Sequence, residues 1–202
     1  ATTTLTFSGL VGTETLGQTV GSTFNNKNVG TGKTVTVNSI TLANGSNGGL
    51  AANYSISPGQ TSTANVTAKI LTAIASTANK VYDSTTSANT TLSLSGLIGS
   101  ETLNVTANST FDNKNIGSGK TVTVNSITLT DGTNGGLASN YSIATGQTTT
   151  ATVTAKSLIV SGITASNKSY DTTTSVLLNT SSLSYNGLVA GDSFSGSFTS
   201  SF

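Results

Sequence analysis

The chain has 202 residues, a net charge of +1 and only 7% charged residues, against about 25% in an average globular protein. All eight basic residues are Lys, and there is no Cys, His, Met or Trp. This composition excludes a disulfide framework, a thiolate metal site and a polybasic nucleic-acid patch, and 5% aromatics are too few for base-stacking platforms.

Hydrophobic residues make up 34% and alternate with Thr, Ser and Asn, which favours folded β structure over disorder of the low-hydrophobicity, high-charge kind. Residues 1–10 read as strand and not as a signal peptide. No apolar run approaches the roughly 18 residues that span a bilayer.

Residues 8–16 read SGLVGTETL, and residues 95–103 repeat them as SGLIGSETL, 87 positions later. Aligned without a gap, 8–69 and 95–156 are identical at about 45 of 62 positions, and GKTVTVNSITL recurs unchanged at 32–42 and 119–129. Gly30-Thr31-Gly32-Lys33-Thr34 has a phosphate-loop flavour, but it lacks the required spacing and runs into a β pattern instead of a helix. Apolar parity switches at Asn38-Ser39 and again at Asn125-Ser126, predicting a β-bulge or sharp bend within each long strand.

Asn79-Lys80-Val81-Tyr82-Asp83 opens a complete copy and is echoed by Asn167-Lys168-Ser169-Tyr170-Asp171, with Thr85-Thr86 echoed by Thr173-Thr174. Leu92 and Leu94 alternate with Thr91 and Ser93, and Ala151, Val153 and Ala155 with Thr; each run predicts a strand with one apolar face. Turn signals fall at Gly96, 113–119, 131–136 and Thr145-Gly146. The third copy repeats Gly187-Leu188-Val189 and ends at Phe202, matching Phe111.

The division that follows is an incomplete first repeat at 1–69, a complete repeat at 70–156 and the opening of a third at 157–202. A period near 87 is too long for a solenoid coil and suits a small domain. The expected fold class is all-β: tandem small β-sandwich (Ig-like) domains arranged as an elongated stalk, with helix nearly absent. Segments 69–79 and 156–167, where the offset slips from 87 to 88, are expected to hold the joints. The stretch reads as part of a longer array, with ends that are frayed or exchanged between neighbouring chains.

Chemical signals are weak beside structural ones. Tyr82-Asp83 and Tyr170-Asp171 offer a ligand-contacting loop, but Tyr packing at a domain edge with Asp capping the turn explains them better. Glu14, Glu101 and Asp192 lack a catalytic partner and suit turn capping or Lys pairing. No calcium-loop pattern occurs. Asn53-Tyr54-Ser55, Asn104-Val105-Thr106 and Asn140-Tyr141-Ser142 permit glycosylation. A Lys–Asn isopeptide bond would need Lys33 with Asn53 and Glu14, or Lys120 with Asn140 and Glu101, brought together by folding; exposed Lys is the ordinary expectation. No catalytic, cofactor-binding or metal residue is assigned, no cofactor is implied, and an enzyme is not expected.

Taken together, N-K-x-Y-D, S-G-L-x-x-x-E-T-L, F-x-N-K-N-x-G-x-G-K, V-x-V-x-x-I-x-L and N-Y-x-I resemble the YDG-type repeat of large bacterial surface adhesins, filamentous-haemagglutinin-like and biofilm-matrix proteins. The resemblance covers essentially the whole chain. One departure is that the glycine after Tyr-Asp is Ser84 here and Thr172 in the third copy, so a turn requiring φ > 0 is expected to adopt another geometry. The resemblance implies an extracellular, cell-surface location and a spacer role, projecting a distal binding region for attachment or biofilm formation. The rival is a module that grips glycan or matrix polysaccharide through many weak copies. Expected partners are neighbouring repeats, identical chains in a fibre, and surface or matrix polysaccharide; nucleic acid and a membrane span are not expected.

Overall fold

The computed structural model describes residues 3–197. Within them the chain is all-β, and helix is confined to two single 3-10 turns, Ala51–Asn53 and Ala138–Asn140. The first copy forms strands β1 (Leu16–Phe24), β2 (Gly30–Asn44) and β3 (Thr61–Val66), in the sheet order β1-β2-β3.

The second copy forms β4 (Lys69–Thr77), β5 (Lys80–Val81), β6 (Ser87–Ala88), β7 (Thr90–Ser95), β8 (Leu103–Phe111), β9 (Gly117–Asp131), β10 (Tyr141–Ile143) and β11 (Thr148–Thr154). Its five-stranded sheet has the order β5-β11-β9-β8-β6, and a three-stranded sheet has the order β10-β4-β7. In the third copy β12 (Ile159–Ser161) pairs with β15 (Ser184–Asn186), and β13 (Thr164–Ala165) with β14 (Leu178–Asn179).

β2 carries the bulge that the parity switch predicts, and β9 shows the same switch in burial. Gly21 faces Ser39 while Ser22 faces Val37, so Asn38 is the extra residue. Before it Lys33, Val35 and Val37 are buried; after it the inward positions are Ile40 and Leu42. β9 repeats the pattern, with Lys120, Val122 and Val124 buried and then Ile127 and Leu129 facing inward. The bulge side chain is held across the hairpin: Asn38 donates to the Thr23 hydroxyl at 2.8 Å and Asn125 to the Thr110 hydroxyl at 3.1 Å. One inserted residue thus switches which apolar set faces the core.

The chain divides into two compact units that do not follow the sequence period. One holds residues 1–71 with 96–103 and 130–142; the other holds 72–95, 104–129 and the chain from 143 onward. The first unit buries Val35, Val37, Leu71 and Tyr141; the second buries Phe111, Val122, Ala151 and Val153, with Tyr82 and Ala88 packed against them. The repeated Gly-x-Asn-Gly-Gly loop is set by close approach. A Cβ at Gly132 or Gly136 would lie 2.1 or 1.9 Å from the Thr102 carbonyl oxygen, a distance only glycine allows.

Segment 69–79, expected to hold a joint, is mostly strand. β4 pairs antiparallel with β7 from Thr72 opposite Ser95 to Thr77 opposite Thr90. Alternating Ile, Ala and Thr continue the strand pattern there, and residues that differ in spacing between copies still enter a sheet.

Candidate functional site

Three polar constellations each contain a lysine, and the first two recur between copies. The first closes the Tyr-Asp turn. Lys80 Nζ donates to Asp83 Oδ1 at 2.8 Å, to the Thr85 carbonyl at 2.9 Å, and to the Thr85 hydroxyl and Ser87 carbonyl at 3.0 Å. Asp83 Oδ1 also accepts the Thr85 N–H at 2.9 Å, the capping role expected of it. Lys80, then the Thr85 backbone and hydroxyl, lower the Asp83 carboxyl from 3.8 to about 2. Lys168, Asp171 and Thr173 build the same turn in the third copy. Tyr82 packs on the core, whereas Tyr170 is 91% exposed.

This turn keeps a left-handed residue despite lacking glycine, with φ at +63° for both Ser84 and Thr172. The expectation of a different turn geometry therefore does not hold. The lysine-centred hydrogen bonds hold the backbone in place at a left-handed φ that costs a residue with a Cβ.

The second constellation closes the hairpin between β8 and β9. Buried Lys120 reaches Asp112 Oδ1 and Asn113 Oδ1, both at 2.8 Å, while Asn113 Oδ1 accepts the Asn115 N–H at 3.0 Å. Lys120 is the chief cause holding the Asp112 carboxyl below its ordinary value. In the first copy Lys33 donates to Asn26 Oδ1 and the Asn28 carbonyl. The Gly-x-Gly-Lys-Thr segment is therefore a hairpin return whose lysine is bound internally. A buried ammonium needs such partners.

The third constellation lies within the first unit and joins the first copy to segments of the second. Tyr141 Oη accepts the Ile98 N–H at 3.1 Å and donates to Glu101 Oε2 at 2.6 Å. Lys27 Nζ meets Glu101 Oε1 at 3.1 Å. Asn140 Oδ1 accepts the Val29 N–H at 2.9 Å, and its amide nitrogen donates to Asn28 Oδ1 at 3.2 Å. Val29, Val66 and Ile98 line the apolar part of this cleft. The Tyr141 hydroxyl first, then Lys27, lowers the Glu101 carboxyl, and Glu101 raises Tyr141 above 10.0. Asn140 spends its side-chain amide here, which occupies one of the glycosylation triplets.

The groups considered for an isopeptide bond have other partners. Lys33 binds Asn26 and Asn28, while Glu14 accepts from Tyr54. Lys120 binds Asp112 and Asn113, while Glu101 and Asn140 serve the cleft with Lys27 and Val29. Sequence reasoning missed Asn26, Asn113 and Lys27. The available signal was Asn placed seven residues before Lys in both copies, across a Gly-containing loop that turns the chain back.

A second cleft lies at the other end of the second copy. Ile116, Ala155 and Lys156 line it with Leu188, Val189 and Asp192, and the last two stand at the repeat positions of Ile98 and Glu101. The YDG domain family model matches residues 1–64 and again 67–151. The chain belongs to the YDG domain family. Its two YDG matches cover the copies that hold the lysine-closed hairpins. No curated protein and no solved structure matches the chain.

Proposed function

We propose that these YDG copies are structural spacers of an extracellular, cell-surface adhesin, stacking as small β-sandwich domains into an elongated stalk that carries a distal binding region. One observation carries this reading: the joint between the first and second copies uses residues that recur with the repeat. Lys27, Asn28 and Val29 lie on one side, with Ile98, Glu101, Asn140 and Tyr141 on the other. Lys114, Asn115 and Ile116 stand ready in the next copy. A contact whose two halves are both encoded in each repeat propagates along an array, which is the requirement for a stalk.

The mixture of one ion pair, amide hydrogen bonds and an apolar cleft also supports fixed joints over free linkers. Small-angle scattering on chains of two, three and four copies tests the proposal. The maximum dimension should grow linearly with copy number, and Lys27→Glu should broaden the distance distribution by loosening the first joint. A compact particle at every length would overturn it. Saturable binding on a glycan array would instead assign the copies to polysaccharide recognition.

A further inference from the structure

The hairpin between β8 and β9 places a nucleophile, an electrophile and a proton carrier around one buried amine. Lys120 is 9% exposed, and its Nζ lies 2.8 Å from Asn113 Oδ1. The same amide oxygen accepts the Asn115 N–H at 3.0 Å. That backbone donor polarises the amide and stands where negative charge would develop if an amine attacked the amide carbon.

Asp112 Oδ1 is also 2.8 Å from Lys120 Nζ. A carboxylate at this distance can take a proton from the ammonium, leaving a neutral amine beside a carboxylic acid. Burial of Lys120 favours the exchange, because two opposite charges disappear together. The ion pair is the resting form, since Lys120 holds the Asp112 carboxyl below its ordinary value, and the neutral pair is the reacting minority. The reaction happens once per molecule, so a small reacting fraction suffices.

We propose that Lys120 forms an intramolecular isopeptide bond with Asn113, with Asp112 carrying the proton. Starting from the neutral pair, Lys120 Nζ bonds to Asn113 Cγ while the Asp112 carboxyl gives its proton to Asn113 Nδ2. The Cγ–Nδ2 bond breaks, ammonia leaves, and a proton from Nζ returns to Asp112, which then ionises into water. Nothing is oxidised or reduced, and no co-reactant is consumed. The product ties the two strands covalently at the mouth of their hairpin.

The first copy is an internal comparison. Lys33 contacts Asn26 Oδ1 across the equivalent hairpin, but Asn25 stands at the position of Asp112, and the other oxygen on Lys33 is the Asn28 carbonyl. Without a carboxylate to take the proton, the bond does not form there. The chain is therefore expected to carry this bond once. The inference rests on hairpin geometry and not on the stalk reading: an unbonded chain that still builds elongated arrays refutes the bond alone.

Intact-mass spectrometry of the 202-residue chain tests the proposal, and the expected mass is one ammonia below that of the sequence. After trypsin, the peptide ending at Lys114 and the peptide beginning at Asn115 should remain joined through residues 113 and 120. A cyclic imide is lighter by the same ammonia but leaves them separate. Asp112→Asn gives the second-copy hairpin the residue that the first copy already folds with, and should restore the full mass; Lys120→Arg should do the same. Asn25→Asp should add a second loss of ammonia. A parent chain at full mass overturns the proposal, and so do separate tryptic peptides. Loss of ammonia that persists in Asp112→Asn overturns the proton-carrying role.

Discussion

Replacing Ser84 by glycine should stabilise the second copy. Ser84 sits at φ +63°, where a Cβ crowds the following carbonyl and costs about 1–2 kcal/mol. Glycine removes that strain but raises the entropy of the unfolded chain, which returns about 0.5–1 kcal/mol. The balance is a gain of about 0.5–1 kcal/mol. For a copy of 87 residues (70 to 156) this corresponds to a rise in Tm of about 2–8 °C. Ser84→Val is the opposing control, because a β-branched side chain is worse in this region; its Tm should fall. Thermal melts of the 202-residue chain followed by circular dichroism, together with urea midpoints, measure both variants. If Ser84→Gly leaves the midpoint unchanged while Ser84→Val matches the parent, the turn is not strained and the reasoning fails.

Lys120→Met keeps the aliphatic stem but removes the ammonium bound to Asp112 and Asn113, and should cost about 1–3 kcal/mol in urea unfolding. Gly136→Ala drives a Cβ towards the Thr102 carbonyl and should cost more than about 2 kcal/mol in the same assay, with Asn134→Ala as a milder comparison in that loop. The Asp83 carboxyl is depressed from 3.8 to about 2, so its contribution is present above pH 3.8 and is lost as pH falls towards about 2. Asp112, Asp171 and Glu101 shift in the same direction, so urea midpoints should decline through that acid window; Asp83→Asn should flatten the decline. Tyr54 and Tyr141 are raised above 10.0, so their contribution holds below pH 10 and disappears as the tyrosines ionise, which ultraviolet difference absorbance at alkaline pH will follow.

Much of the fold was legible because strand patterns are local. The parity switch at Asn38-Ser39 and Asn125-Ser126 marked the bulges, since a period-two pattern registers a single inserted residue. Tyr82 and Asp83 were legible for a similar reason: a capping carboxylate and the N–H it accepts are only two residues apart. The lysine partners were not legible. Lys33 and Lys120 each lie seven residues from the Asn they bind, across a hairpin whose loop path a pattern does not specify. Nor was the joint, because Lys27 and Glu101 are 74 residues apart and belong to different copies. Repetition also misled at Ser84: the missing glycine implied a change of geometry, while the surrounding hydrogen bonds preserved the geometry and strained the residue.

Low charge content takes on a different meaning once the lysines are located. Of the eight lysines, Lys33, Lys80, Lys120 and Lys168 close turns through side-chain and backbone acceptors, and Lys27 joins two copies. The outward strand faces are left to Thr and Ser, which hydrate without charge and favour extended backbone. Lys120 is buried and Lys80 largely so, and partly buried pairs are screened far less than exposed ones. Charge in this chain therefore acts mainly as a set of short internal ties, with surface repulsion playing little part. A sheet with such ties at its turns resists changes in ionic strength.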